Sequence, residues 1–356
     1  MRPFFSFLVK RVIYLFIVLF ATLIITIGLL APFFETVLKS VIADKIRNDV
    51  LTNPKYRYLT EAEREALIKT MTSDAVRSMG LDQPWYSPTR LYNTIVSVMS
   101  LDLGRTSVTY ASSSGTHSVH DLIMERLPRT VLLFGSATII VSVIGIYLGS
   151  FVAGREGSLP DRVVSAVTVL SSSFPTWWVG ILMILVFAFV FRIFPAQSIP
   201  QTLPSDPRYI PDLLYHMALP LITLVVMGFG VWAYSVRYFV SLMLVEDFIR
   251  AKRTAGIPES KILYSHALKN AAPAIFTSVA LSLAASFGGA ILVETVFDWP
   301  GMGLLYIEAI GPPADMPVII GLTYVSTLIF VITIFAIDLA YGYFDPRLKV
   351  SGEKAA

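Results

Sequence analysis

The sequence predicts an all-α polytopic membrane protein with six transmembrane helices, both termini in the cytoplasm, and a small external domain between the first two helices. Hydrophobic residues make up 55% of the 356 residues and charged residues only 15%, whereas about 25% of an ordinary globular chain is charged. The apolar residues cluster in six long segments, and among the short connections and tails, Lys and Arg are concentrated in alternate ones. This composition excludes a soluble enzyme, a disordered protein and a DNA-binding domain, and the net charge of +3 is too small to indicate a nucleic-acid partner.

Each of the six segments is apolar over enough residues to cross a bilayer, since roughly 30 Å of hydrocarbon takes about 20 helical residues. The segments are 12–30, 130–153, 163–191, 213–236, 272–293 and 318–341. The first segment follows a positively charged N-terminus, but its apolar stretch is longer than that of a signal peptide and no small-x-small cleavage site follows it cleanly. We therefore expect a retained first helix.

The positions of Lys and Arg predict the orientation, because cytoplasmic loops carry an excess of these residues. They occur in the N-terminal tail, in the second-to-third loop, in the C-terminal tail and most densely in the fourth-to-fifth loop. The fifth-to-sixth loop has no Lys or Arg and contains four acidic residues: Glu294, Asp298, Glu308 and Asp315. With six spans, the alternation places both termini in the cytoplasm.

The spans and connections divide the chain into four parts. Residues 1–34 form the N-terminal tail and first helix, 35–128 an external domain, 129–343 the membrane core with a cytoplasmic loop at 237–270, and 344–356 a cytoplasmic tail. Within the external region we predict a helix over 61–71 with Thr60 as its N-cap. A flexible loop is the alternative for this region, and the Ser/Gly-rich stretch 109–116 is expected to be flexible.

Several kinds of chemistry are missing from the sequence. No P-loop motif occurs, so we expect no ATP site of that type in this chain. The absence of cysteine excludes thiolate metal sites and cysteine nucleophiles. The four histidines show no metal-ligand spacing, and His117 and His120 alone offer only two ligands. We expect no catalytic residue, no metal site and no cofactor bound by this chain.

Asp338 is the only Asp, Glu, Lys or Arg residue inside a predicted span. It lies within about one helical turn of the cytoplasmic end, so an interfacial ion pair is expected. A gradient-driven carrier or ion channel would be expected to have more buried charge.

The cytoplasmic loop 237–270 carries the most information. Glu246 and Arg250 have the spacing and order of a helical ion pair. Gly256 is expected to end this helix, because glycine adopts the left-handed C′ conformation at low cost. Pro258 is expected to begin a second helix, with Glu259 favouring the helix dipole in its first turn.

The second helix is predicted over 258–268, which is too short to be stable alone. Its apolar side contains four residues: Ile262, Leu263, His266 and Ala267. We expect that side to need a partner, either the membrane surface or a groove on a cytoplasmic protein. The residues themselves do not decide between these two.

This loop resembles the coupling loop of permease subunits in binding-protein-dependent ABC importers, in the dipeptide/oligopeptide branch. The matching residues are Phe-Ile-Arg-Ala-Lys-Arg-Thr-Ala-Gly-Ile over 248–257 and His-Ala-Leu-Lys-Asn-Ala over 266–271. Arg250, Arg253, Gly256 and Asn270 fit the family pattern. Alanine and lysine are exchanged at Lys252 and Ala255.

Further elements extend the resemblance over most of the chain, in the family's order. They are GLDQP at 80–84, LDLG at 101–104, ERLPRT at 125–130, the two Phe-Pro pairs at 174–175 and 194–195, VETVF at 293–297 followed by WPGMG at 299–303, and DPRL at 345–348. The turn at 299–302 suits a type II turn, with Pro300 second and Gly301 third.

The resemblance implies the type I permease fold of ABC importers and a multi-pass protein of the cell membrane. The chain would pair with a second homologous permease subunit, usually as a heterodimer. Two cytoplasmic ABC ATPase subunits, which bind ATP and Mg²⁺, would drive transport, and an external binding protein would deliver substrate. The expected substrates are oligopeptides, with oligosaccharides or a nickel complex as the alternative. A gradient-driven secondary carrier and a membrane receptor or scaffold are more distant alternatives.

The resemblance also implies roles for particular residues. ATPase coupling is expected at Arg250, Arg253, Gly256, Ile257, Pro258, Glu259, Ile262, Leu263, His266 and Asn270. The translocation path is expected at the subunit interface between the second to fifth spans. The candidates for the path or an outer gate are Pro175, Trp178, Ser282, Ser286, Gly289, Glu294 and Trp299. Helix packing is the alternative for the small residues of the fifth span.

Overall fold

The computed structural model describes residues 2–106, 108, 110, 115–286, 291–312 and 314–344. Within these ranges all regular secondary structure is helical, apart from one isolated antiparallel bridge between Arg105 and Ser118. The contacts divide the chain into two compact units. The larger unit contains Met1–Val12, Met124–Ile307 and Leu328–Ala356, and the smaller contains Ile13–Ile123 and Glu308–Thr327.

The α-helices have the following bounds: α1 Arg2–Thr52, α2 Glu61–Ser78, α3 Pro88–Met99, α4 Val119–Ala153, α5 Leu159–Ser173, α6 Thr176–Met183, α7 Tyr209–Leu244, α8 Asp247–Thr254, α9 Glu259–Lys261, α10 Leu268–Ser286, α11 Ile291–Phe297, α12 Met302–Ile310 and α13 Met316–Phe344. A short 3-10 turn occupies Pro54–Tyr56. Two π-helical stretches, Ile184–Val190 and Ile262–Ala267, continue α6 and α9.

Among the described residues, five helical stretches are long and apolar enough to cross a membrane: Val9–Thr52, Val119–Ala153, Tyr209–Leu244, Glu259–Ser286 and Met316–Leu339. A sixth is the bent pair Leu159–Ser173 and Thr176–Val190, whose two halves meet at 95°. Counting the bent pair as one span gives the six predicted spans.

The bend in the third span has a local cause at Phe174 and Pro175. Proline has no backbone N–H to continue the helix and disfavours helical conformation in the residue before it. Accordingly, Phe174 is extended, with φ −119° and ψ 140°, and α6 begins directly after Pro175. The sequence placed Pro175 inside this span, and the structure shows a break there.

The smaller unit contains the predicted helix of the region that follows the first span. Thr60 and Glu63 form a capping box at the start of α2, which confirms the predicted N-cap. The helix extends to Ser78, beyond the predicted end at 71. α1 is a single helix of 51 residues and continues past residue 34, where the N-terminal tail and first helix were expected to end.

In the larger unit, α5 packs along α7. Thr168 Oγ1 donates a hydrogen bond to the Gly230 carbonyl at 2.8 Å. Towards the Leu244 end of α7, the Arg237 guanidinium pairs with the buried Asp161 carboxylate at the start of α5, with an Nε–Oδ1 distance of 2.6 Å. The hydrogen bond of this charged pair runs from Arg237 Nη2 to Asp161 Oδ2 at 3.1 Å and links the two helices.

Candidate functional site

The loop at 237–270 contains one short independent helix, α8, between two spans. α7 ends at Leu244, and Glu246 is the extended N-cap of α8, with ψ 146°. The predicted Glu246–Arg250 ion pair is therefore wrong, because Glu246 lies outside the helix. Arg250 instead pairs with Asp247, with an Nη1–Oδ1 distance of 3.4 Å.

Gly256 ends α8, as predicted. It adopts φ +74°, in the left-handed region that glycine enters at low cost. The next amide, of Ile257, donates to the Lys252 carbonyl at 3.2 Å, which closes the helix end in the manner of a Schellman motif. The chain then turns sharply towards Pro258.

The separate second helix predicted over 258–268 is wrong. Pro258 is the N-cap of α9 and not its first helical residue. From Glu259 the chain runs through α9, a π-helical stretch and α10 as one candidate span, Glu259–Ser286. No glycine or proline interrupts residues 259–272, so nothing at Lys269 or Asn270 ends the helix.

The sequence also predicted that the apolar side of 258–268 needs a partner outside this chain. That prediction is wrong, because the chain itself covers this side. Ile262, Leu263 and Ala267 are buried in a cluster formed by this chain. The cluster joins residues from α4, α7, α8, the π-helical stretch and α10, namely Ala153, Val236, Val240, Ile249, Ile262, Leu263, Ala267, Ala271 and Ile275. Because both spans beside the loop contribute to it, the cluster ties the loop to the membrane core.

Ile249 attaches α8 to this cluster and was not among the predicted coupling residues. Its side chain is fully buried, whereas its neighbours Phe248 and Arg250 are exposed. In the sequence, one apolar residue at Ile249 among mostly polar neighbours is only a weak indication of burial, because α8 has only eight residues. The burial depends on α7 and the π-helical stretch, which no local pattern reveals.

A second connection closes the turn between α8 and α9. The Arg253 guanidinium contacts the Glu259 carboxylate through two nitrogens, at 2.7 Å and 3.2 Å. The hydrogen bond to Glu259 raises the pKa of Arg253. Lys252 Nζ lies 3.4 Å from His266 Nε2. These contacts hold α8 against the following helix on its polar side.

The exposed surface of α8 carries one aromatic side chain and charges of both signs. It consists of Asp247, Phe248, Arg250, Ala251, Arg253 and Thr254, and Arg250 pairs with Asp247. Beside it lies a cavity of about 440 Å³, lined by the α4–α5 turn, by the end of α7 and by Arg253 and Glu259. The structure therefore presents an exposed, charged helix face next to a recess.

Asp338 forms the predicted ion pair. Its carboxylate contacts the Arg11 guanidinium of α1, and the second contact, between Arg11 Nη2 and Asp338 Oδ1, measures 3.5 Å. The carboxylate predicted inside the sixth span is thus paired with a cation of α1.

The turn after the fifth span is held by a buried glutamate. Glu294 is fully buried in α11. Its Oε1 accepts a hydrogen bond from Thr130 Oγ1 at 2.9 Å, and its Oε2 accepts one from the Leu304 amide at 3.0 Å. The Met302 amide donates to Thr130 Oγ1 at 2.8 Å. This network attaches the 299–303 turn to α4.

Burial raises the pKa of Glu294 to about 7. Glu294 lies between Ser286 and Met316, outside the helices long enough to span a membrane. The hydrogen bonds from Leu304, Thr130 and Gly303 and the charge of Arg126 oppose that rise. The carboxyl group therefore changes its charge near neutral pH.

The predicted type II turn at 299–302 is wrong. A type II turn needs a positive φ at its third residue, and Gly301 is not among the described residues with positive φ. Glycine is required there for space, because a Cβ atom on Gly301 would lie 2.5 Å from both Glu294 Oε2 and Thr130 Oγ1.

The predicted path residues fall into three groups. Trp178 is exposed beside the bend and stacks on Phe174, with ring centroids 5.1 Å apart. Ser282 and Ser286 line a cavity of about 490 Å³ together with residues of α4 and α7. Glu294 and Trp299 are fully enclosed by this chain.

Some predicted features lie outside the described residues. They are Gly289, the 345–348 element and most of the stretch 109–116.

Comparison with known proteins decides the family. Residues 145–350, more than half of the chain, match the family described as the binding-protein-dependent transport system inner membrane component. This chain belongs to that family. The fold expected from the resemblance, a helical permease with several membrane spans, is thereby confirmed, as is a position in the cell membrane.

Relatives of this permease cover most of its length. A putative peptide permease protein of Brucella ovis is 34% identical over 306 residues, which is 85% of this chain and 89% of that protein. The oligopeptide transport system permease protein AppB of Bacillus subtilis is 29% identical over 88% of this chain and 94% of its own. The dipeptide transport system permease protein DppB of Bacillus subtilis is 32% identical over 65% and 71%.

Proposed function

We propose that this chain is a permease subunit of an ATP-driven importer for oligopeptides delivered by an external binding protein. Membership of the binding-protein-dependent family supports the importer, and the names of the relatives, which are peptide, oligopeptide and dipeptide permeases, support peptides as the cargo. A second permease subunit and two ATPase subunits complete the complex, and ATP and Mg²⁺ bind to the ATPases. No observation on this chain favours oligosaccharides or a nickel complex over peptides.

The observation that carries the mechanism is the attachment of α8. This helix has an exposed surface with one aromatic side chain and charges of both signs, and Ile249 inserts the helix into a cluster shared by α7 and the helix that leads into α10. A force applied to α8 is therefore transmitted to two spans at once. We assign ATPase docking to Phe248, Arg250, Ala251 and Thr254.

The residues predicted to couple the chain to the ATPase then have different roles. Ile257, Ile262 and Leu263 transmit the movement from inside the cluster. Gly256 and Pro258 shape the turn, and Arg253 and Glu259 tie its two sides together. His266 and Asn270 belong to the following helix, where the Asn270 side-chain amide donates to the His266 carbonyl at 2.7 Å.

The broken third span supports a water-filled path beside it. Among the described residues, no backbone N–H donates to the carbonyl oxygens of Ser171, Ser172 or Ser173. The break lies between the Thr168–Gly230 hydrogen bond and the contact of Tyr215 with the Ile193 carbonyl, near the middle of α7. Exposed, unsatisfied backbone is not tolerated against lipid at that depth.

We therefore place the path, or the second permease subunit that encloses it, against this break. Ser172, Ser173 and Trp178 are exposed there, so the break offers hydroxyl and carbonyl oxygens next to an aromatic pair. Ser282 and Ser286 remain candidates through their cavity. Glu294 and Trp299 act indirectly, by holding the turn at 299–303.

The test is co-purification of the tagged chain with its partners, followed by reconstitution and measurement of ATP hydrolysis and peptide uptake. We expect P-loop ATPases and a second six-span protein to be recovered, and the ligand of the binding protein to be a peptide. Phe248→Ala should reduce ATPase recovery, while the equally simple truncation Tyr238→Ala, at an exposed residue of α7, should not. Recovery of the chain without any ATPase would refute the importer, and a sugar on the binding protein would refute the cargo.

A further inference from the structure

A separate cavity of about 410 Å³ lies in the smaller unit, and neither coupling nor the path uses it. It is formed by the middle of α1, by α3 and by the first turns of α13. Its volume is within the range of small-molecule sites, about 300–1,000 Å³.

The sequence of α1 gives the depth of this cavity in the membrane. No charged residue occurs between Arg11 and Glu35. At 1.5 Å per residue, this uncharged stretch is roughly 34 Å long, which matches the hydrocarbon core. Glu35 therefore lies at the outer boundary, and Ile27 and Ala31, which line the cavity, lie one to two turns deeper.

The lining of the cavity changes from apolar to charged between hydrocarbon depth and the outer boundary of the membrane. Ile27, Ala31 and Ile320 form the part at hydrocarbon depth, and Glu35, Arg90 and Asp102 form the part at the boundary. Arg90 Nη1 contacts the Glu35 carboxylate and the Gln83 carbonyl, and a guanidinium has further N–H donors. The charged end thus combines one cation with two carboxylates.

The helix above the cavity has the character of an interfacial helix. Tyr92, Val96 and Met99 of α3 are exposed at i, i+4 and i+7 and form an apolar stripe. Tyr86, just before the helix, is also exposed, and Trp85 lines the cavity. Aromatic residues and amphipathic helices of this kind lie at the level of lipid headgroups.

We propose that this cavity binds one phospholipid of the outer leaflet that has a zwitterionic, ammonium-bearing headgroup. An acyl chain lies along Ile27, Ala31 and Ile320. The phosphate accepts hydrogen bonds from Arg90, and the ammonium group lies near Glu35 and Asp102. The bound lipid fills the space between α1, α3 and α13 and supports α3 at the membrane surface.

Two substitutions on α1 test the site in the purified complex. Ala31→Trp fills the cavity, and Leu29→Trp places the same side chain at a position that is 73% exposed on α1 and does not line the cavity. After extensive detergent washing, native mass spectrometry and lipid extraction give the number of phospholipids retained. We expect Ala31→Trp to lower the occupancy of the last retained phosphatidylethanolamine at least fivefold, and Leu29→Trp to leave it unchanged. Equal retention by both variants would overturn the proposal.

Headgroup and occupant are tested separately. Re-addition of phosphatidylethanolamine should restore occupancy of the washed protein, and preferential uptake of phosphatidylglycerol would contradict the zwitterionic assignment. The chain contains no cysteine, so a photoreactive benzophenone can be attached at Ser97→Cys inside the cavity. A cross-linked adduct with the mass of a phospholipid supports the site. A cross-link to another protein chain would show that a partner segment occupies the cavity instead.

Discussion

Ile249→Ala is the sharpest perturbation of the coupling mechanism, because Ile249 is the fully buried residue that attaches α8 to the cluster. The substitution removes three carbon atoms, each worth about 0.8 kcal/mol on burial. The cavity left behind adds to this, so a total of about 2–5 kcal/mol is expected. Since each 1.4 kcal/mol is a factor of ten, an attached α8 becomes less populated by at least about tenfold.

The assay compares transport with ATP hydrolysis in reconstituted complexes. We expect Ile249→Ala to lower peptide uptake per ATP hydrolysed, because the ATPases move a helix that no longer moves α7 and α10. Proteolysis or hydrogen exchange of residues 246–258 should show faster local opening. The matched variant is Phe248→Ala, which changes the neighbouring exposed side chain.

Phe248→Ala should leave local opening nearly unchanged and instead reduce the amount of ATPase that co-purifies. The two adjacent positions thus separate attachment of α8 from docking on α8. If Ile249→Ala leaves both local opening and transport per ATP at wild-type values, the cluster does not transmit the movement and the reasoning is refuted.

Three further outcomes are expected from the turn at 299–303 and from the loop that contains α8. In a thermal-unfolding assay, Gly301→Ala should destabilise the protein by about 1–3 kcal/mol, because the added Cβ overpacks against Glu294. The control is Gly135→Ala, at a helical position where nothing lies within 4 Å of the added Cβ, and this variant should be neutral or stabilising. Burial raises the pKa of Glu294 to about 7. The stability that the protonated carboxyl group contributes is therefore complete below pH 4.5 and is lost as the pH rises through 7, by about 3 kcal/mol in total. The thermal stability of the wild-type protein should fall more between pH 5 and 8 than that of Glu294→Gln, and parallel curves would contradict the burial argument. Glu259→Gln should cost less than about 1 kcal/mol, because the pair with Arg253 is solvent-exposed; an unfolding shift larger than this, or one insensitive to salt, would mean that the pair does more than close the turn.

The sequence predicted the features that depend on local chemistry. Thr60 caps α2, Gly256 ends α8, and Asp338 forms an ion pair at the end of its span. In each case, one residue type meets a requirement of the backbone or of a buried charge within a few residues. The six spans were predictable for the same reason, since bilayer thickness sets the length of an apolar helix.

The wrong predictions concern tertiary contacts. Ile262 and Leu263 have the spacing of an exposed docking face, but α7 and α8 cover them. The predicted helix over 258–268 ended too early, although no glycine or proline interrupts residues 259–272, and the helix continues into α10. Gly301 has a position typical of a type II turn, yet the reason for a glycine is space, because the oxygens of Glu294 and Thr130 leave no room for a Cβ atom. Sequence patterns do not show which atoms from distant helices approach a position.

Cross-linking from α8 tests the central claim, which is that this helix docks the ATPase. The chain has no cysteine, so a single reactive group can be placed at Ala251→Cys, on the exposed side of α8, or at Asn270→Cys, exposed on the helix that follows. In the assembled complex we predict that Ala251→Cys cross-links to an ATPase subunit in high yield and that Asn270→Cys does so at least tenfold less. A strong cross-link from Asn270→Cys with none from Ala251→Cys would place docking on the helix after Pro258 and contradict the account.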